Sequence, residues 1–130
     1  AVQYLTAEEI LILHARVIDE TGGSHGVRDL GLLQSIAERP KTAFGGKEMY
    51  RGIFTKAAIY LESIVRYHVF IDGNKRTALI STARFLHVNQ YELTATNEAV
   101  EKYVLKVAVE KPALKEIAVW FKTHSKRKKD

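Results

Sequence analysis

His68-Val69-Phe70-Ile71-Asp72-Gly73-Asn74-Lys75-Arg76-Thr77-Ala78 is the stretch on which the reading of this chain turns. It holds an imidazole, a carboxylate, a Gly-Asn turn and two adjacent cations. On its N-terminal side, residues 54–66 carry Ala57, Ala58, Leu61, Ile64 and Val65. That broad apolar stripe of helical period predicts a long, well-buried helix. On its C-terminal side, Leu79, Ala83 and Leu86 share one helical face and predict a helix over residues 74–88. The stretch is therefore a tight connection between two packed helices.

Further toward the N-terminus, Thr6 and Glu9 have the spacing of a capping box. The helix they open buries Ile10, Leu13, Val17 and Ile18, and the glycine-rich residues 21–26 stop it. Asp29 is placed to cap a short second helix carrying Leu32, Leu33 and Ile36. That helix should end before Pro40, because the residue preceding proline prefers extended geometry. Residues 41–50, centred on Gly45-Gly46, read equally as a plain loop or a short hairpin-like flap. Beyond the central pair, Asn89-Gln90 is a break, and Thr94-Ala95-Thr96-Asn97 precedes a fifth helix with Val100, Val104, Val107 and Ala108. Pro112 suits the first turn of a sixth, which holds Leu114, Ile117, Ala118 and Phe121. Trp120 beside Phe121 is expected to pack in the core. With no internal repeat, no linker and no strand longer than a few residues, the expectation is one all-α domain of about six helices over residues 1–124. A basic tail at residues 125–130, expected to be frayed, completes it.

Bulk properties narrow the class. The 130 residues are 46% hydrophobic and 27% charged, as in an ordinary globular domain. The absence of Cys excludes disulfide and thiol chemistry and fits a reducing compartment. No apolar run approaches the roughly 20 residues of a membrane helix, and Ala1-Val2-Gln3-Tyr4-Leu5 does not resemble a signal peptide. These features predict a cytoplasmic protein. The net charge of +5 raises an anionic partner. Lys122 with Lys126-Arg127-Lys128-Lys129 accounts for the excess, however, and without them the remainder is near neutral. The charge is thus a weak argument for nucleic acid.

The chemistry sits at the start of the helix after Gly73. Amides at a helix N-terminus lack intrahelical acceptors, and the helix dipole adds positive potential there, which suits a phosphate. Lys75 and Arg76 oppose that dipole, so an anion is needed to offset them; both side chains match phosphate oxygens. Asp72 faces the same space as a natural Mg²⁺ ligand beside a polyphosphate. His68 is suited to take a proton from an attacking hydroxyl at neutral pH. Phe70 and Ile71 are expected to pin the loop into the core. In this reading His68 is the base, Asp72 holds metal, and Gly73, Asn74, Lys75 and Arg76 cradle phosphate. A capping turn with solvated cations is the bland alternative, and residue types alone leave both open.

The run His68-x-Phe70-x-Asp72-Gly73-Asn74-Lys75-Arg76 resembles the motif of the Fic/Doc family, and of its Doc branch in particular. Tyr4-Leu5-Thr6-Ala7-Glu8-Glu9-Ile10, the Gly22-Gly23 turn, and the residues from Arg28-Asp29-x-Gly31-Leu32-Leu33 through Arg39-Pro40 resemble Doc-type N-termini as well. The resemblance implies a compact helical Fic fold with its active-site loop between two core helices. It implies that His68 is base toward a target hydroxyl, Asp72 holds Mg²⁺, Asn74 and Gly73 bind nucleotide phosphate, and Arg76 is the family's phosphate-binding Arg. AMP-transferring members have a second Gly where this chain has Lys75, usually a further Arg where it has Leu79 or Ile80, and commonly Pro where it has Val69. In Doc toxins the Lys variant goes with kinase activity, in which the terminal phosphate of ATP passes to a threonine of elongation factor Tu and translation halts. Gly73 is more Fic-like than the Ala that some Doc proteins have there. The resemblance also implies a Phd-like antitoxin partner, and a target-aligning flap where this chain has residues 42–50. An AMP transferase in the same fold, and a non-catalytic helical binding module using the basic tail, are the competing functions.

Arg66, two residues before His68, is a second-tier candidate for nucleotide or target contact; a solvated helix-end Arg is the equal alternative. His14, His25, His87 and His124 show no metal-ligand spacing and are expected to be surface or core histidines.

Overall fold

A computed structural model describes residues 1–129. Among the described residues the fold is all-α: six helices, α1 (Ala7–Thr21), α2 (Leu30–Glu38), α3 (Ile53–Tyr67), α4 (Asn74–Val88), α5 (Asn97–Glu110) and α6 (Leu114–Thr123), with four very short strands. The local signals act as expected. Glu9 N–H donates to the Thr6 hydroxyl at 3.1 Å while Thr6 N–H donates to the Glu9 carboxylate at 3.2 Å, closing the capping box. Asp29 caps α2 by accepting from Leu32 N–H at 3.0 Å. After α2 a single 3₁₀ turn, Arg39–Lys41, carries Pro40 in its first positions.

Helix α3 is the axis of the fold. Every residue from Lys56 to Val65 is buried, and α4, α5, α6 and α2 all pack against it. Ala57, Ala58, Ile59, Leu61, Ile64 and Val65 supply most of that buried surface, and the polar Lys56, Glu62 and Ser63 buried with them are hydrogen-bonded. Tyr60 is also fully buried, and its hydroxyl accepts a bond from Leu5 N–H at 3.0 Å, which ties the N-terminal segment to the axis.

Two expectations give way. The sixth helix begins at Leu114 with Ala113 at its cap, so Pro112 lies before the first turn. Lys111 ends α5 in the left-handed conformation at φ 51°, and Pro112 follows that turn. The tail is not frayed through residue 127. Ser125–Arg127 form strand β4, antiparallel to β3 (Tyr91–Leu93), and Lys128 N–H donates to Gln90 O at 2.8 Å. The final residue of the expected tail, Asp130, lies outside the described residues. Residues 42–50 form the hairpin alternative, with β1 (Ala43–Phe44) and β2 (Lys47–Glu48) paired around Gly45-Gly46. No described helix is long and apolar enough to cross a membrane.

Candidate active site

Helix α3 ends at His68, which adopts the left-handed conformation (φ 47°, ψ 51°). This turns the chain away from the helix axis and leaves the imidazole exposed. Such a conformation carries strain of order 1 kcal/mol in a residue other than glycine, though His tolerates it better than most. The next residues are fixed from two sides. Val69 and Phe70 are fully buried. Arg28 N–H donates to Val69 O at 2.7 Å and Ile71 N–H to Gly26 O at 3.2 Å, forming an antiparallel bridge between the loop and residues 26–28. Phe70 is the anchor the sequence suggests. Ile71 is not: it is 59% exposed and covers the backbone of Gly26 instead of entering the core.

Gly73 is the cap of α4 at φ 73°, a conformation that favours glycine, and a Cβ there would lie 3.0 Å from the Ile18 side chain. The first bond within the helix runs from Thr77 N–H to Gly73 O at 2.9 Å. The amides of Asn74, Lys75 and Arg76 therefore have no acceptor within the helix and open at its positive end. They meet a cleft of about 410 Å³ lined by His68, Asp72, Gly73, Asn74, Lys75 and Arg76, with Glu101, Val104 and Leu105 of α5 forming the far wall. The base candidate, the carboxylate and the residues expected to cradle phosphate thus share one space. A second hollow of about 310 Å³ shares His68 and Lys75 and is completed by Arg66, Glu62 and the end of α5. Arg66 lies there, outside the cleft that Asp72 and Asn74 line. Its guanidinium stands 3.9 Å from Glu62, which is also held at 3.0 Å by Arg39.

The individual side chains are less free than their types suggest. Asn74 accepts from Phe70 N–H at 3.0 Å and donates to Phe70 O at 2.9 Å, so its side chain closes the loop. Asn74 offers a phosphate its backbone amide and one remaining side-chain N–H. Asp72 accepts from Gly73 N–H at 2.8 Å on one oxygen and from Ser24 N–H at 3.2 Å on the other. Each oxygen keeps a further lone pair, and the residue is exposed. Arg76 reaches across the cleft to Glu101 at 3.8 Å; both side chains are half exposed, so the pair is weak and yields readily to a better anion.

His14, counted above among the structural histidines, is buried and contacts the loop: its Nε2 lies 2.8 Å from Asp72 O and its ring stacks on Phe70. No motif spacing could reveal this, because the partners are 58 residues apart. Buried Lys56 is a second residue that sequence alone conceals. It donates to Tyr50 O at 2.6 Å, to Glu48 at 3.1 Å and to Pro40 O at 3.2 Å, and so ties the 42–50 hairpin to α3.

A family model described as "Fic/DOC family" matches residues 4–86, which take in α1 to α3, the loop and α4 up to its last two residues. Across 93 residues the chain is 39% identical to Toxin Doc of Mycolicibacterium smegmatis, covering 72% of this chain and 69% of that one. Across 99 residues it is 32% identical to Protein kinase doc of Escherichia phage P1, covering 76% of this chain and 78% of that one.

Proposed function

This chain belongs to the Fic/DOC family, and on that footing we propose that it is the toxin of a toxin–antitoxin system and a protein kinase. It moves the γ-phosphate of ATP to a threonine hydroxyl of elongation factor Tu in the cytoplasm and so blocks translation. The observation that carries this reading is the shared cleft, where the free amides of α4, Lys75, Arg76, Asp72 and His68 converge. The kinase name of one relative supports γ-transfer, as does the place of Lys75, which lines both hollows.

The donor set fits a Mg²⁺–nucleotide substrate. One exposed carboxylate stands beside three amides that have no acceptor within the helix. That suits an ion which arrives with its own waters and phosphate oxygens. Asp72 would hold the Mg²⁺, which when bound would neutralise charge on the phosphates. The amides of Asn74, Lys75 and Arg76, with the Lys75 and Arg76 cations, hold the transferring phosphoryl group and stabilise the charge on its oxygens. The threonine hydroxyl gives its proton to His68 as its oxygen bonds to the γ-phosphorus. The bridging P–O bond breaks and ADP leaves.

A Phd-like antitoxin is the partner this reading implies, through a disordered segment that folds on the toxin surface. The test is label transfer to purified elongation factor Tu, with ATP labelled at the γ- or the α-phosphate in parallel and His68→Ala as control. Label from γ alone, lost in the control, supports the kinase. Label from α makes the protein an AMP transferase. No label from either rejects this target and brings the binding-module reading forward.

A further inference from the structure

We propose that His14 is a positioning residue for Asp72. Through one hydrogen bond from α1 it fixes the peptide joining Asp72 to Gly73, and so aims the Asp72 carboxylate into the cleft. This rests on the role given to Asp72 above. The other buried positions of α1, Ile10, Val17 and Ile18, are apolar. A buried imidazole among them costs free energy unless it meets a polar partner. His14 is 2% exposed, and its partner is the Asp72 carbonyl at 2.8 Å. A carbonyl can only accept, so Nε2 carries the proton and donates. The ring is also held flat against Phe70, with centroids 3.8 Å apart and planes 4° from parallel. Its direction is therefore set by the same residue that anchors the loop.

The carboxylate end is seated by the turn that follows α1. Ser24 N–H bonds one oxygen, and Gly23 approaches so closely that a Cβ there would lie 2.6 Å from it. Gly73 N–H takes the other oxygen. Helix α1 and its glycine turn thus grip Asp72 at both the main chain and the carboxylate. Its aim is fixed before any nucleotide arrives.

The test compares His14→Phe, which keeps a ring against Phe70 but removes the donor, with His14→Gln, which restores an amide donor. Phe121→Leu, a core truncation in α6, controls for general loss of stability. ATP affinity is measured by calorimetry with Mg²⁺ and with a chelator. Amide hydrogen exchange over residues 70–77 is measured without ligand. In His14→Phe the gain in affinity that Mg²⁺ gives is expected to fall by about tenfold to a hundredfold, with recovery in His14→Gln. Exchange is expected to quicken over residues 70–77 in His14→Phe and not there in Phe121→Leu. A His14→Phe protein that keeps the full Mg²⁺ gain, or whose loop exchanges as slowly as wild type, overturns the proposal. Asp72→Asn separates the two readings. If it leaves the Mg²⁺ gain intact, the metal role of Asp72 fails, and the exchange measurement alone decides: focused quickening sustains the proposal and unchanged protection overturns it.

Discussion

At the scale of single residues, Lys75 and Asn74 carry the sharpest expectations. Lys75 adds a side chain and a charge to the proposed phosphate site, where the resemblance implies that AMP-transferring family members have glycine. Lys75→Gly should reduce γ-phosphate transfer by about a hundredfold, the usual effect of losing one donor to a developing charge. The ratio of γ- to α-label in the acceptor should fall; an unchanged ratio would mean that Lys75 does not direct the nucleotide. Asn74 illustrates what residue types conceal. The sequence marks it for phosphate, and its backbone amide is indeed at the cleft, but its side chain joins both polar groups of Phe70. Asn74→Ala leaves those groups unpaired and should cost about 1–3 kcal/mol in denaturant unfolding. An Asn74→Ala protein with no loss of stability would contradict that assignment. The pairing was illegible beforehand because a four-residue side-chain closure leaves no periodic signal.

At the scale of elements, the helices announce themselves and their attachments do not. Caps and apolar stripes act within a few residues, so Thr6 with Glu9, Asp29 and the start of α4 at Asn74 all stand in the sequence. Lys56 does not, because its three partners lie six to sixteen residues back in an irregular segment. Lys56→Met fills the same space without the donor. It should speed proteolytic cutting at Gly45-Gly46 and raise KM for the acceptor protein while KM for ATP holds. Equal proteolysis of the two proteins would refute the tether. Tyr60 gives the axis a pH dependence. Burial raises its pKa above the ordinary 10.0, against a smaller lowering by its bond with the Leu5 backbone. Below that ordinary value the phenol is neutral in both folded and unfolded chains, and its contribution is constant. Above it the unfolded chain ionises while the folded one holds its proton, so stability falls as pH rises. Between about pH 9.5 and 11.5, unfolding free energy should drop less steeply in Tyr60→Phe than in wild type.

At the scale of the whole molecule, the sequence conveys an all-α domain around one buried helix because α3 carries a broad apolar stripe. It does not convey how the ends of the chain are used. Strands β3 and β4 are three residues each and join parts of the chain more than thirty positions apart, too short to show alternation. Tail cations that look solvated in sequence are partly engaged: Lys126 lies 3.4 Å from Glu92, and Lys128 donates to His87 O at 3.4 Å. Removing residues 125–130 should therefore lower the melting temperature yet leave phosphate transfer intact. Loss of activity in a still-folded truncation would place the tail in the function.

The central claim is that the N-terminus of α4, with His68 beside it, transfers the terminal phosphate of ATP to a protein hydroxyl. The most direct measurement is the intact mass of elongation factor Tu after incubation with the enzyme, Mg²⁺ and ATP, followed by peptide mapping. The expected result is a gain of one phosphoryl group on one threonine, absent with His68→Ala. A gain of one adenylyl group, or a phosphoryl group that persists with His68→Ala, would contradict the claim.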